Sequence, residues 1–107
     1  MKDINEYQAF AHVGILPASK GKNLLVGFAL GLAGESGEVC DAIKKREYHG
    51  RQITDEHLIE ELGDVMWYVA NLCTVLNVSL DVVLEQNMDK LKHRYPEMYG
   101  GTKDAKK

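Results

Sequence analysis

Two short acidic patterns carry the chemistry open to this chain. Glu35-Ser36-Gly37-Glu38 and Glu61-Leu62-Gly63-Asp64 each place two carboxylates three residues apart. On a helix, residues at that spacing share a face, with Cβ atoms roughly 5–6 Å apart. Like charges this close repel, which costs stability until a cation neutralises them. Hard cations such as Mg²⁺ take oxygen ligands of this kind. Twenty-two residues separate Glu38 from Glu61, enough to finish one helix, turn, and begin an antiparallel partner. The four carboxylates would then converge on one site.

Helix-borne carboxylate sites fall into a few chemical classes. Di-iron centres draw a Glu-x-x-His motif from two of their helices. Here the third residue after Glu35 and after Glu61 is another acid, which argues against that class. Glycoside hydrolysis asks for two carboxylates flanking a sugar, and four exceed that need. All-oxygen ligation points to Mg²⁺, with Mn²⁺ as the alternative, and Mg²⁺ commonly works together with substrate phosphates. Cations to meet such phosphates follow the first acidic pair as Lys44, Lys45, Arg46 and Arg51, and recur downstream as Lys90 and Arg94. Gly34-Glu35-Ser36-Gly37 lacks the lysine of a phosphate-cradling glycine loop. The pattern is therefore a carboxylate–metal site.

The elements that must hold these residues read as helices. Residues 3–12 form a short amphipathic helix, with Asp3 or Asn5 as N-cap and Ile4, Tyr7 and Ala11 as apolar positions. Residues 14–22, with Pro17, Ser19 and Gly21, read as a loop. A long helix follows over 23–48 and stops at Gly50. Gly27, Gly31, Gly34 and Gly37 recur inside it, each costing about 0.5–1 kcal/mol relative to alanine. Close helix packing, or room for a ligand beside Glu35, would explain them. Thr54 caps a third helix with Asp55 and Glu56 in its first turn, running to about Asn77. On it Leu58, Leu62, Val65, Val69, Leu72 and Leu76 gather on a core side. His57, Glu61, Asp64, Tyr68 and Asn71 form the adjacent stripe. Ser79 caps a fourth helix that ends before Pro96, with Asn87, Lys90 and Arg94 on one face. Residues 100–107 read as a frayed tail.

The expected fold is all-α: a bundle of about four helices in a single domain over residues 1–99. Helices two and three would each be roughly 35–40 Å long at 1.5 Å per residue. A compact globule of this size has a radius of gyration of only about 13 Å. Such helices with wide apolar faces predict a homo-oligomer, a homodimer or homotetramer, joined through them.

Composition bounds the partners. The 107 residues are 45% hydrophobic and 27% charged, with a net charge of −3 that argues against nucleic acid as a partner. Met1–Phe10 has no apolar core of a signal sequence. The uncharged run 23–34 is too short to cross a bilayer, which takes roughly 20 residues, so no membrane role is expected. Cys40 and Cys73 lie among apolar residues and read as free buried thiols, consistent with a cytoplasmic setting. His57 sits one turn before Glu61 and is either solvated or turned toward the site. His12, His49 and His93 show no pairing. Trp67 and Tyr68 read as core aromatics or as platforms for a base.

Gly34-Glu35-Ser36-Gly37-Glu38-Val39 and Glu60-Glu61-Leu62-Gly63-Asp64-Val65, followed by Asn87 and Lys90-Leu91-Lys92-His93-Arg94-Tyr95-Pro96, resemble the MazG-like nucleoside triphosphate pyrophosphohydrolases. That all-α superfamily includes dimeric dUTPases and phosphoribosyl-ATP pyrophosphatases. The resemblance covers roughly residues 5–99. It implies Mg²⁺-dependent hydrolysis of a (deoxy)nucleoside triphosphate to the monophosphate and pyrophosphate. It implies Glu35, Glu38, Glu61 and Asp64 as metal ligands, with Glu35 or Glu38 activating the water. Lys44, Lys45, Asn87, Lys90 and Arg94 would hold the substrate. A phosphoribosyl-ATP pyrophosphatase is the neighbouring alternative, and a non-catalytic nucleotide-binding oligomer is the alternative from another class.

Overall fold

The computed structural model describes residues 1–15 and 23–100. Most of the expected loop, residues 16–22, and the tail beyond Gly100 lie outside the described residues. Five helices and no strands are present among them: α1 (Ile4–Ala11), α2 (Leu24–His49), α3 (Asp55–Val75), α4 (Leu80–Arg94) and α5 (Pro96–Tyr99).

The termini of these helices follow from short polar side chains. The Asp3 carboxylate accepts the Glu6 N–H at 2.9 Å, Asn23 Oδ1 accepts Val26 N–H at 3.2 Å, and Thr54 Oγ1 accepts His57 N–H at 3.1 Å. Each satisfies a donor that the first helical turn leaves without a partner. Gly50 ends α2 with φ +66°, a left-handed conformation that glycine adopts without steric penalty. Its N–H and that of Arg51 both turn back to the Lys45 carbonyl. α5 is a single turn begun by Pro96, whose fixed φ suits a first helical position.

α4 starts differently from expectation. Ser79 stands at its N-cap, but its hydroxyl bonds the Asp81 carboxylate at 2.6 Å and caps no backbone N–H. The caps come from α1: Gln8 Oε1 accepts Leu80 N–H at 2.6 Å, and Asn5 Oδ1 accepts Asp81 N–H at 3.2 Å. Gln8 Nε2 also donates to Thr74 Oγ1 at 3.1 Å and to the Val78 carbonyl at 2.9 Å. One buried side chain thus braces the bend between α3 and α4, whose axes turn by 101°. Beside it, Asn71 is fully buried and donates to the carbonyls of Ala11 and Trp67, while its Oδ1 meets His12 Nδ1 at 2.6 Å. Buried polar atoms without partners are expensive, and this network leaves none of those atoms unpaired. His12, expected to be unpaired, is therefore a structural partner of α3.

α2 and α3 pack along each other as an antiparallel hairpin, and α1 crosses α3 and α4. The core proper lies at that crossing: Ala11, Ala70, Cys73 and Leu80, with Ile4, Tyr7, Trp67, Val69, Val78 and Val83 packed around them. α4 touches α1, α3 and α5 but makes no close approach to α2 among the described residues. The result is an open arrangement, 44 × 44 × 28 Å with a radius of gyration of 17.1 Å, against about 13 Å for a compact chain of this length. Much apolar surface stays uncovered in consequence. Leu62 and Leu76, assigned to a core stripe by their spacing, are 52% and 61% exposed, with no other described element covering them. Cys40, expected to be buried, is exposed, whereas Cys73 is buried and both are free thiols. No single helix is long and apolar enough to cross a membrane.

A four-carboxylate cluster on the α2–α3 hairpin

The glycines of α2 decide how closely α3 approaches it. A Cβ on Gly31 would fall 2.1 Å from Tyr68 Cε1, so the Tyr68 ring lies directly on the α2 backbone. Around it Phe28, Trp67 and Tyr68 form an edge-to-face trio, with ring centroids 5.0 to 6.4 Å apart. Trp67 and Tyr68 are thus committed to packing. Gly27, Gly34 and Gly37 face open space, so only one of the four helix glycines serves close packing within the protomer.

One turn further along, the hairpin sets Glu35 near Asp64 and Glu38 near Glu61. Carboxylate oxygens of Glu35, Glu38 and Glu61 all lie within 4.8 Å of one another, and Asp64 comes within hydrogen-bonding reach of Glu35. Glu35 Oε1 is buried without a hydrogen-bond partner. Burial raises the pKa of Glu35 above the ordinary carboxylate value, and the neighbouring charges of Glu38, Glu61 and Asp64 raise it further. Close approach to the Glu38 carboxyl and loss of solvent raise Glu61 in the same way, opposed by His57. With Glu35 and Glu61 both pushed toward the neutral form, the cluster favours the arrival of positive charge. The three glutamates, whose oxygens lie within 4.8 Å of one another, would be the residues to hold a hard cation such as Mg²⁺. The orphaned Glu35 oxygen and the all-oxygen donor set both fit such a hard cation.

The remaining candidates divide. Lys45 lines an open groove of about 300 Å³ together with Glu38, Glu61 and His57, and its ammonium pairs with Asp41 at 2.8 Å. Lys44 pairs with the same carboxylate at 3.7 Å and faces a neighbouring cavity. Asn87 and Lys90 line a separate cavity along α4, and Arg94 another at the α4–α5 junction. Within one protomer they are not brought to the acids. Arg46 is taken up structurally: its guanidinium donates to Asp55 at 2.7 Å and to the Ile53 carbonyl at 3.3 Å, tying the end of α2 to the start of α3. Sequence reasoning placed Tyr7 only in the core. Its phenol pKa is raised by burial and by the charge of Asp64, so α1 brings it toward the acids. Its spacing alone carried no signal of that.

An all-helical domain whose antiparallel hairpin gathers four carboxylates, a donor set that fits a hard divalent cation, is the class that this fold and site define. Residues 27–99 match the MazG nucleotide pyrophosphohydrolase domain, and the chain belongs to that family. It is 47% identical over 70 residues to the gene 37 protein of Mycobacterium phage L5, covering 61% of this chain and 60% of that protein. It is also 35% identical over 85 residues to the uncharacterized protein YvdC of Bacillus subtilis (strain 168), covering 70% of this chain and 76% of YvdC. The chain therefore spans less than two thirds of the phage relative's length. No solved structure is significantly similar to it.

Proposed function

We propose that the protein hydrolyses (deoxy)nucleoside triphosphates to the monophosphate and pyrophosphate, with Mg²⁺ held by Glu35, Glu38, Glu61 and Asp64. The observation that carries this reading is the convergence of Glu35, Glu38 and Glu61, with Asp64 beside Glu35 and one Glu35 oxygen buried without a partner. Bound there, the metal supplies Lewis-acid stabilisation of phosphoryl charge and lowers the pKa of water. Glu35, whose surroundings raise its pKa, is suited to take a proton from the attacking water, with Glu38 as the other candidate. Lys44 and Lys45 stand where phosphate charge would be met, and Asp41 holds them extended along α2.

Asn87, Lys90 and Arg94 act on the substrate in this reading only if a second copy brings its α4 over the hairpin. The exposed side chains of Leu30, Leu62, Leu76 and Met88 support such an assembly, because covering apolar surface favours association. Assembly through these faces would complete the site. The cellular setting in this reading is the cytoplasm.

The test is turnover of a panel of nucleoside triphosphates with Mg²⁺, run in heavy-oxygen water. The expected result is pyrophosphate release, abolished by EDTA and restored by Mg²⁺ or Mn²⁺, with the label found in the monophosphate alone. Orthophosphate release with a nucleoside diphosphate would rule out this reaction. Tight triphosphate binding without turnover would leave a nucleotide-binding oligomer instead.

A further inference from the structure

The cations around the acid cluster are not equivalent. Lys44 and Lys45 share the Asp41 carboxylate, and Arg46 is held by Asp55 and Glu47. Arg51 has no carboxylate partner among the described residues, and its side chain lines two adjoining cavities. One is lined by Glu38, Asp41, Glu61, His57, Lys45 and Arg51; the other, about 390 Å³, is walled by Lys44, Lys45, His49 and Arg51, its two lysines paired with Asp41. The shared walls, Lys45 and Arg51, make the two a single groove. It begins at the carboxylates and turns basic toward the α2–α3 turn. Its geometry is fixed locally: the Arg51 N–H bonds the Lys45 carbonyl at 3.1 Å, and the Arg46 clamp holds residues 53–55. In the other direction along the hairpin the acids give way to Phe28, Trp67 and Tyr68.

We propose that this groove is the seat of the terminal phosphates, with Arg51 and His57 as the contacts that recognise them. The substrate then lies in one direction only. Its α-phosphate sits at the acids, its pyrophosphate half points to the α2–α3 turn, and its nucleoside points toward the Tyr68 end. This rests on the triphosphate reading above. From Glu38 to Lys45 is seven residues, about 10 Å along the helix, a span that a triphosphate and a flexible side chain cover together. An arginine fork donates two parallel hydrogen bonds to phosphate oxygens. The His57 ring offers an N–H donor in either tautomer, from a position one turn before Glu61. Asp41 already shares charge with both lysines, whereas Arg51 has no carboxylate partner among the described residues and is free to pair with phosphate. The same groove is where released pyrophosphate would leave.

The test is calorimetric titration of Mg²⁺-pyrophosphate into the full-length protein, beside steady-state kinetics on a triphosphate. Arg51→Ala and His57→Ala should each weaken pyrophosphate binding by about tenfold or more, as expected for a lost charge-assisted hydrogen bond. They should raise KM more than they lower kcat and leave inhibition by the monophosphate product near wild type. Arg51→Lys should recover part of the loss, and Lys92→Ala, outside the groove, should cause none. Pyrophosphate binding unchanged in both alanine variants would overturn the assignment. Weakened monophosphate inhibition with intact pyrophosphate binding would overturn the direction of the substrate. If the variants lose pyrophosphate binding while the wild type turns over no triphosphate, the groove stands and the hydrolase reading fails.

Discussion

Gly31→Ala tests the packing on which the acid cluster rests. Alanine in place of glycine inside a helix gains about 1 kcal/mol of intrinsic propensity. Against this, the new methyl would stand 2.1, 2.6 and 2.7 Å from three atoms of the Tyr68 ring. Those atoms belong to the body of a ring wedged beside Phe28 and Trp67, so it cannot swing away at little cost. Overpacking of this kind costs typically about 1–3 kcal/mol, and an overlap this deep belongs in the upper part of that range. The balance is a net loss of about 1–2 kcal/mol, which for a chain of this size lowers Tm by roughly 4–16 °C. Thermal unfolding followed by circular dichroism reads it directly. Gly34→Ala, whose Cβ would meet open space, should instead hold or raise Tm, by up to about 1 kcal/mol of stability. A double variant with Tyr68→Ala should lose less than the sum of the two single changes. A Gly31→Ala protein as stable as wild type would refute the argument that Tyr68 rides on the α2 backbone.

The acid cluster predicts a trade of stability against pH. Glu35 and Glu61 have folded pKa values raised above 4.5, so their contribution is fully present below that value and is lost as pH rises through the folded value. Glu35→Gln and Glu61→Gln should therefore raise Tm of the metal-free protein at neutral pH and not at pH 4, while reducing turnover by orders of magnitude; equal Tm at both pH values would contradict this. Asn71→Ala removes a fully buried side chain bonded to two carbonyls and to His12, and should cost about 2–4 kcal/mol in chemical denaturation; a loss below about 1 kcal/mol would show that the network is dispensable. Multi-angle light scattering at micromolar concentration should give a dimer or larger, and Leu62→Lys should shift it toward monomer. A wild-type mass of 12.0 kDa would refute assembly.

The helices were legible because their ends are written in residue types whose physics is local. Asp3, Asn23 and Thr54 cap where their side chains reach the backbone, and Gly50 stops α2 where a left-handed residue is needed. The acidic spacing likewise fixes which carboxylates share a face, and the hairpin then brings both pairs together. What the spacing could not convey is which side of each helix finds a neighbour. Leu62 and Cys40 have apolar character in the sequence, yet neither is covered in the protomer. The caps of α4 come from Gln8 and Asn5, more than seventy residues upstream, and no local pattern encodes a contact of that range. The same bend carries Asn87, Lys90 and Arg94 away from the acids, with Asn87 and Lys90 on one cavity and Arg94 on another.

The Arg46 clamp has a consequence for the acid cluster further along the hairpin. Antiparallel helices can slide past one another in steps of about one turn, 5.4 Å, with their ridges still interlocked. The observed register sets Glu35 against Asp64 and Glu38 against Glu61. Slipping α3 by one turn would oppose Glu38 to Asp64, leave Glu35 facing Trp67 and carry Glu61 to Asp41. The four-acid cluster would be broken up, with every helix still intact. Arg46, by gripping Asp55 and the Ile53 carbonyl, pins the turn that selects between these registers. It acts as the index mark of the hairpin, two helical turns beyond Glu38 and without touching the acids it aligns.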